Sequence, residues 1–349
     1  MKFIKKLTAC ALSAVLCAGT VGCSGSDKSW AMKRDSETVP IGCYIYNLYA
    51  SYQTADSEKK DSSKAVLSQK IDSKDAKTWI RDSAYSSTKQ ILLINQKMKD
   101  MKLSLTADEK KAADTLNSTA WAQYSSKFEK YGIAQSSFNA AYGNHIYNER
   151  KIFSAIYGKG GSKAVSDADL KNYYVKNYTD CSFLVCPLYK SDSSGNFVSA
   201  YTDAQKKAAE KPLNDYAEQI AAGKMTMTQA AAAYKTALKS SAEQLHTDSI
   251  NLSTDTNYPQ TFRDTLKALK AGECKAFEIK DAQSYILLYK EDAAKTAASI
   301  LASSQRDNLL FSYKGDEFNT TLKKEAEAMA GVTVNDRALN SYDPSMFAS

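Results

Sequence analysis

Between Val165 and Leu188 the hydrophobic period of the sequence changes from helical to extended, and this change limits the chain to two kinds of domain joined in series. Val165-Ser-Asp-Ala-Asp-Leu-Lys-Asn-Tyr-Tyr174 opens a helix on a capping-box pattern, in which Ser166 accepts from an amide one turn in and Asp169 reaches back. Past Asn177 and Tyr178, Cys181-Ser-Phe-Leu-Val-Cys-Pro-Leu-Tyr189 is short, apolar and closed by proline, which is a strand signal. The pattern predicts an all-helical domain before this joint and a small α+β domain from it to about Asp292.

In the first domain Ile41, Ile45, Leu48 and Tyr52 share one helical face, so a helix is expected to start near Pro40. The charged, serine-rich stretch from Asp56 to Ser73 reads as a loop. Ile80, Ala84, Ser87, Ile91, Ile94, Met98 and Met101 then mark the packing face of a longer helix. A capping box from Thr106 to Glu109 opens the next, which Gly132 ends in a left-handed conformation. Ser136 is expected to cap one more helix, running through Ile152 and Ile156 to the glycines at 158–161. In the second domain Thr202 caps a helix running to Ala222, Met227–Tyr234 forms a second and Phe262–Leu269 a third. Ala276–Ile279 and Ser284–Tyr289 read as strands, and the polar stretch 238–258 as neither. A long helical pattern returns from Ala293 to Ala330, with a break expected near Gly315.

The N-terminus is an export signal. Met1-Lys-Phe-Ile-Lys-Lys6 is basic, Leu7–Ala18 is apolar, and Thr20-Val-Gly-Cys23 supplies the small residues of a cleavage site. A cysteine just after that site resembles a bacterial lipobox, which implies lipidation at Cys23, a polar tether through residue 29 and a body anchored outside the cytoplasm. Lys2, Lys5 and Lys6 leave with the signal, so the formal charge falls from +7 to +4. That charge is small and dispersed, which argues against nucleic acid as a partner. Cys43, Cys181, Cys186 and Cys274 remain in the body. Cys181 and Cys186 lie five apart on one expected strand and so face opposite ways. Unpaired buried thiols are the expectation, with a bridge from either to Cys274 open if the strands are neighbours. Two dispersed histidines, His145 and His246, give no metal-ligand spacing, and no cofactor motif is present. His145 and Glu149 are expected to form a solvent-side pair on one helix.

The helix pattern V-S-D-x-x-L-x-x-Y-Y ahead of a strand, together with Phe262-Arg-Asp-Thr-Leu…Gly272-Glu273 followed by Tyr285-Ile-Leu-Leu-Tyr-Lys290, resembles the extracytoplasmic foldases related to SurA and PrsA. The resemblance implies an α+β chain: a helical chaperone-like domain (30–179), an inserted parvulin-like prolyl isomerase domain (180–292), and a C-terminal segment (293–349) that packs back on the N-terminal helices. Active parvulins carry two histidines on their central strands. By sequence, Ser182 stands where the first is expected and Ile286 where the second is, and the usual glycine-rich segment before Phe262 is absent. What the resemblance implies is therefore a scaffold without efficient isomerase activity, its degenerate site represented by Ser182, Phe262, Tyr285 and Ile286.

Tyrosines crowd the helical half, and aromatic rings with a polar handle suit weak binding of many extended chains. Tyr44, Tyr124, Tyr142, Tyr174 and Tyr178 are the candidates for contact with clients, the expected partners being unfolded exported polypeptides. Two other readings compete. One is an active isomerase, which requires Phe262 and Leu269 to line an open pocket; the other is a surface lipoprotein serving as a structural or partner-binding module.

Overall fold

The computed structural model describes residues 29–348 apart from Ser193 and Gly195; the segment expected to be an export signal, with Cys23, lies outside the described residues. The chain is mixed α+β and divides into two units, one comprising Val165–Tyr313 and the other 29–164 with 314–348.

The helical unit starts with a ribbon of β1 (Trp30–Arg34) and β2 (Glu37–Pro40), reversed at Asp35 with φ +52°. It continues with α1 (Ile41–Glu58), a hairpin of β3 (Lys70–Ile71) and β4 (Lys74–Asp75), then α2 (Ala76–Asp100), α3 (Ala107–Lys130), α4 (Gln135–Ala141) and α5 (Gly143–Tyr157). All four expected α1 face residues, Ile41, Ile45, Leu48 and Tyr52, are buried, but so are Tyr44 and Tyr46, because α1 is packed on nearly every side. The stretch expected to be a loop after Asp56 is partly ordered: α1 runs on to Glu58, and Val66 is buried in a 3₁₀ turn. Thr106 and Glu109 form the expected reciprocal cap, and Gly132 adopts φ +80° beyond α3.

One expected helix is two. The segment after Ser136 breaks at Tyr142, and Ser136 does not cap it; the N-cap of α4 is Ala134, two residues earlier, without a side-chain hydrogen bond. Asn117 of α3 causes a close approach at the break, its Oδ1 accepting from the Gly143 amide at 2.7 Å. A Cβ at position 143 would lie 2.4 Å from that Oδ1 and 2.6 Å from the Ala113 carbonyl, so only glycine fits.

The C-terminal segment completes this unit. The second part of α11 (Arg306–Ala328) buries Phe318 against Phe153 at 5.3 Å between ring centroids. Strand β11 (Thr333–Val334) then pairs antiparallel with β1, Met32 opposite Val334, making β1 the centre of a three-stranded sheet. After α12 (Asp336–Asn340), Asp343 accepts from Lys77 at 2.7 Å and Arg81 at 3.2 Å, and the Phe347 ring packs edge-on to Tyr131 at 4.8 Å.

The other unit opens with α6 (Asp167–Asn177), on the Ser166 cap, and β5 (Thr179–Pro187). A small hairpin of β6 (Tyr189–Ser191) and β7 (Phe197–Ala200) follows, then α7 (Asp203–Ala221), α8 (Met227–Ala237), β8 (His246–Ile250), α9 (Gln260–Ala268), β9 (Cys274–Ile279), β10 (Ser284–Lys290) and α10 (Ala293–Leu301). Its antiparallel sheet has the order β8-β5-β10-β9. Strand β8 lies within the stretch expected to be irregular, because an edge strand with one buried side chain, Ile250, has no apolar alternation to display. The division falls at Val165 and Tyr313 rather than at 180 and 292, since α6 and α10 pack on each other and Arg306 donates to Asp167 at 2.7 Å. The break in the last helical stretch falls at 302–305, where Ser303 accepts from the Gln305 amide; Gly315 lies inside α11.

Two outcomes follow for stability. Gly143→Ala forces α3 and α5 apart and lowers unfolding free energy by about 1–3 kcal/mol in urea titrations. Partial burial opposes ionisation of Asp343, but the Lys77 ion pair and the Ser345 hydrogen bonds outweigh it and hold the carboxyl well below its usual range. Its contribution is therefore present above about pH 4 and is lost as pH falls below it. Asp343→Asn should lower the thermal midpoint at pH 7 and reduce the difference between pH 7 and pH 3.

Candidate functional site

A strand sends alternate side chains to opposite faces, and β5 sorts the candidate residues this way. Cys181, Phe183 and Val185 face α9, whereas Leu184 and Cys186 face α7 and α8. In the register of β5 with β10, Phe183 is opposite Leu288, Val185 opposite Ile286, and Ser182 opposite Tyr289. Ile286 and Phe262 thus belong to the α9 face, while Ser182 and Tyr285 belong to the other. The two positions matched by sequence to the paired histidines, Ser182 and Ile286, do not converge. A slip of one residue in a strand reverses the face, and it is Phe183 that shares the face of Ile286. Ser182 is buried and donates to the Glu291 carboxylate; the Tyr285 hydroxyl donates to Asn214 Oδ1 at 2.9 Å.

The α9 face is filled with rings. Phe262 is 2% exposed, stacks on Tyr258 at 4.7 Å and 19°, and meets the edge of Phe183 at 5.2 Å and 77°. The exposed imidazole of His246 lies flat on Phe183, at 5.2 Å and 21°. The Tyr258 hydroxyl donates to Asp248 Oδ2 at 2.6 Å, which fixes the ring in the stack; burial, then this bond, raises its pKa. Leu269 packs against the same cluster, and Leu266, Ile286 and Leu288 lie beneath. The open pocket that an isomerase requires between Phe262 and Leu269 is replaced by core.

The chemistry open to this face is correspondingly narrow. Burial, with the Asp248 and Asp180 carboxylates beside it, pushes the Cys181 thiol up to about 12, so it is not a nucleophile near neutral pH. Cys43, Cys181, Cys186 and Cys274 are all thiols, and Cys274 Sγ donates to the Ala217 carbonyl. Among the described residues no group of three or more His, Cys, Asp or Glu is placed to hold a metal ion, and no helix is long and apolar enough to cross a membrane. In the helical unit, His145 is buried rather than solvent-side as expected. Its Nε2 is 3.7 Å from Glu149 Oε2; burial pushes the imidazole down to about 3 and the carboxyl up to about 7.

The five candidate tyrosines separate by burial. Tyr44 and Tyr174 are core residues, which removes them as contacts for a client. The Tyr174 hydroxyl donates to Asp180 Oδ1 at 2.6 Å, while Tyr178 stacks on the Tyr174 ring at 5.1 Å and is half-buried. Tyr142 is half-buried on Phe138. Tyr124 is 40% exposed and is the one of the five that offers a ring to solvent.

A groove of about 730 Å³ on the helical unit was not legible in the sequence. It runs between α2 and the C-terminal part of α11, which Lys97 ties together through Glu325 at 2.6 Å. Its helix floor is the polar side of α2, opposite the stripe of Ile80 and Ala84, and such a side ordinarily reads as a solvated face.

The filled α9 face has a measurable consequence. Phe262→Ala should cost about 3–5 kcal/mol of unfolding free energy, as removal of a core ring does, whereas Phe262→Leu should cost much less. No family model matches the chain, and no curated protein matches it in sequence.

Proposed function

We propose that the protein is a lipid-anchored folding factor of the SurA/PrsA kind: a holdase outside the cytoplasm that binds unfolded exported polypeptides and has lost prolyl isomerase activity. One observation carries the reading. A module whose four-stranded sheet and covering helices run βααβαββ, with the β6–β7 hairpin added after its first strand, followed by α10 and set between the two stretches of a helical unit, has the α9 face of its sheet closed by Tyr258, Phe262 and Phe183. In this reading the small unit is a parvulin-like insert retained as scaffold. An X–Pro bond isomerises in tens to hundreds of seconds unaided, and its catalysis needs a cavity that grips the ring and stabilises a twisted amide. A face packed with aromatic side chains offers no such cavity.

Binding falls instead to side chains that present apolar area to water. Tyr124 on α3 and Phe197 and Val198 on β7, both more than half exposed, supply separated apolar contacts. Separated contacts of this kind suit weak, sequence-tolerant capture better than one tight partner. Lipidation of Cys23 would hold the body at the outer face of the membrane, where exported chains emerge.

The body from Ser24 onward should suppress light scattering from reduced, unfolding lysozyme by at least half at equimolar ratio. Tyr124→Ser and Phe197→Ser together should weaken that protection several-fold without moving the thermal midpoint. It should leave cis/trans exchange in Ala-Pro peptides, followed by NMR, at the uncatalysed rate. Absence of protection would overturn the holdase reading, and accelerated exchange would overturn the loss of isomerase activity.

A further inference from the structure

The groove between α2 and α11 is lined unlike a cleft for an apolar peptide. Segments of unfolded proteins bind through pockets walled by aliphatic and aromatic side chains. Here the apolar lining consists of Trp79, Tyr85 and Ala326, and every other lining side chain ends in a hydroxyl, amide, carboxylate or ammonium group. Trp79, Asp82, Ser83, Ser86 and Gln90 recur at helical spacing, so one face of α2 forms the floor. The body of Trp79 packs on the core, and its Nε1 donates to Asp72 Oδ2 at 3.0 Å, which sets the ring plane. Tyr85, six residues further along α2, is 37% exposed and lines the same groove.

The charges cancel. Lys74, Lys89 and Lys323 face Asp72, Asp82 and Glu327. Lys74 pairs with Asp82 at 2.7 Å, and Lys89 donates to the Glu327 carbonyl at 3.0 Å. A phosphate, an acidic peptide or a basic peptide would have to break these contacts and would find no net opposite charge. Ser86 Oγ has no hydrogen-bond partner but is shielded from water, so it lies below the surface that a ligand would touch. Ser83 differs, since its hydroxyl accepts from Ser51 Oγ at 3.1 Å.

We propose that this groove binds a neutral oligosaccharide. A pyranose has C–H faces that pack on aromatic rings and a rim of hydroxyls that both donate and accept. Trp79 and Tyr85 supply the rings. Gln90, Ser87 and Lys323 supply partners for the rim, and a volume of about 730 Å³ accommodates several sugar units. The site is separate from the exposed apolar contacts proposed for clients and does not rest on the holdase reading.

The test is titration calorimetry of the body from Ser24 onward with two neutral probes, the tetramer of N-acetylglucosamine and cellotetraose. At least one should bind, and Tyr85→Ala, which removes an exposed ring, should weaken it tenfold or more with an unchanged thermal midpoint. Trp79→Ala should abolish it, with Trp79→Phe restoring part of the affinity. The proposal is overturned if neither sugar binds, or if binding survives both Tyr85→Ala and Trp79→Ala. It is equally overturned if Tyr85→Ala instead removes binding of unfolded lysozyme, which would make the groove a polypeptide site.

Discussion

The helical unit depends on a contact between the two ends of the described chain. Strand β11 lies on β1, with the Asn335 amide donating to the Ala31 carbonyl at 2.9 Å and the Asn335 side chain to the Trp30 carbonyl at 3.0 Å. Without it the β1–β2 ribbon would be an isolated two-stranded hairpin, which is marginal in water. The tail repeats the attachment twice more, through Asp343 on Lys77 and Arg81 and through Phe347 among Tyr49, Tyr52 and Tyr131. Each joins residues more than 200 apart in sequence, yet closure entropy grows only logarithmically with loop length. A few well-packed contacts are therefore enough to close a unit that the chain leaves at residue 164 and re-enters at 314.

Within the other unit, strand parity does the corresponding work. Because β5 alternates, one face receives Leu184, Cys186 and Leu287 under α7 and α8, and the other receives Cys181, Phe183 and Ile286 under α9. Both faces are thereby packed as cores. The ring stack of Tyr258, Phe262 and Phe183 adds edge and stacking contacts to area burial. Tyr258 comes from the segment between β8 and α9, and its bond to Asp248 holds it over Phe262. This is why we favour binding at exposed rings over catalysis at a pocket.

Features made by neighbours in sequence were legible. Thr106 with Glu109, Thr202 with Gln205 and the left-handed Gly132 are short-range devices, and each stands where its pattern placed it. Features made by distant residues were not. The break at Tyr142 depends on Asn117 from another helix, and β8 owes its state to pairing with β5 rather than to its own polar composition. The facing of Ser182 required a register, since a motif match uncertain by one residue leaves the side of the sheet undecided. Tyr44 and Tyr174 look no different in sequence from Tyr124, and only packing separates ring from core. The groove is the extreme case, because both of its walls read separately as ordinary polar helix surface.

The account turns on whether the α9 face is closed in solution, and the direct measurement is NMR of the full body with selectively labelled tyrosine and phenylalanine. A closed face predicts strong NOEs from the Tyr258 ring to both Phe262 and Phe183, unchanged when an Ala-Pro peptide is added in large excess. Weak or missing NOEs from Tyr258, together with Phe262 and Phe183 signals that move on adding the peptide, would reveal an open proline pocket and contradict it.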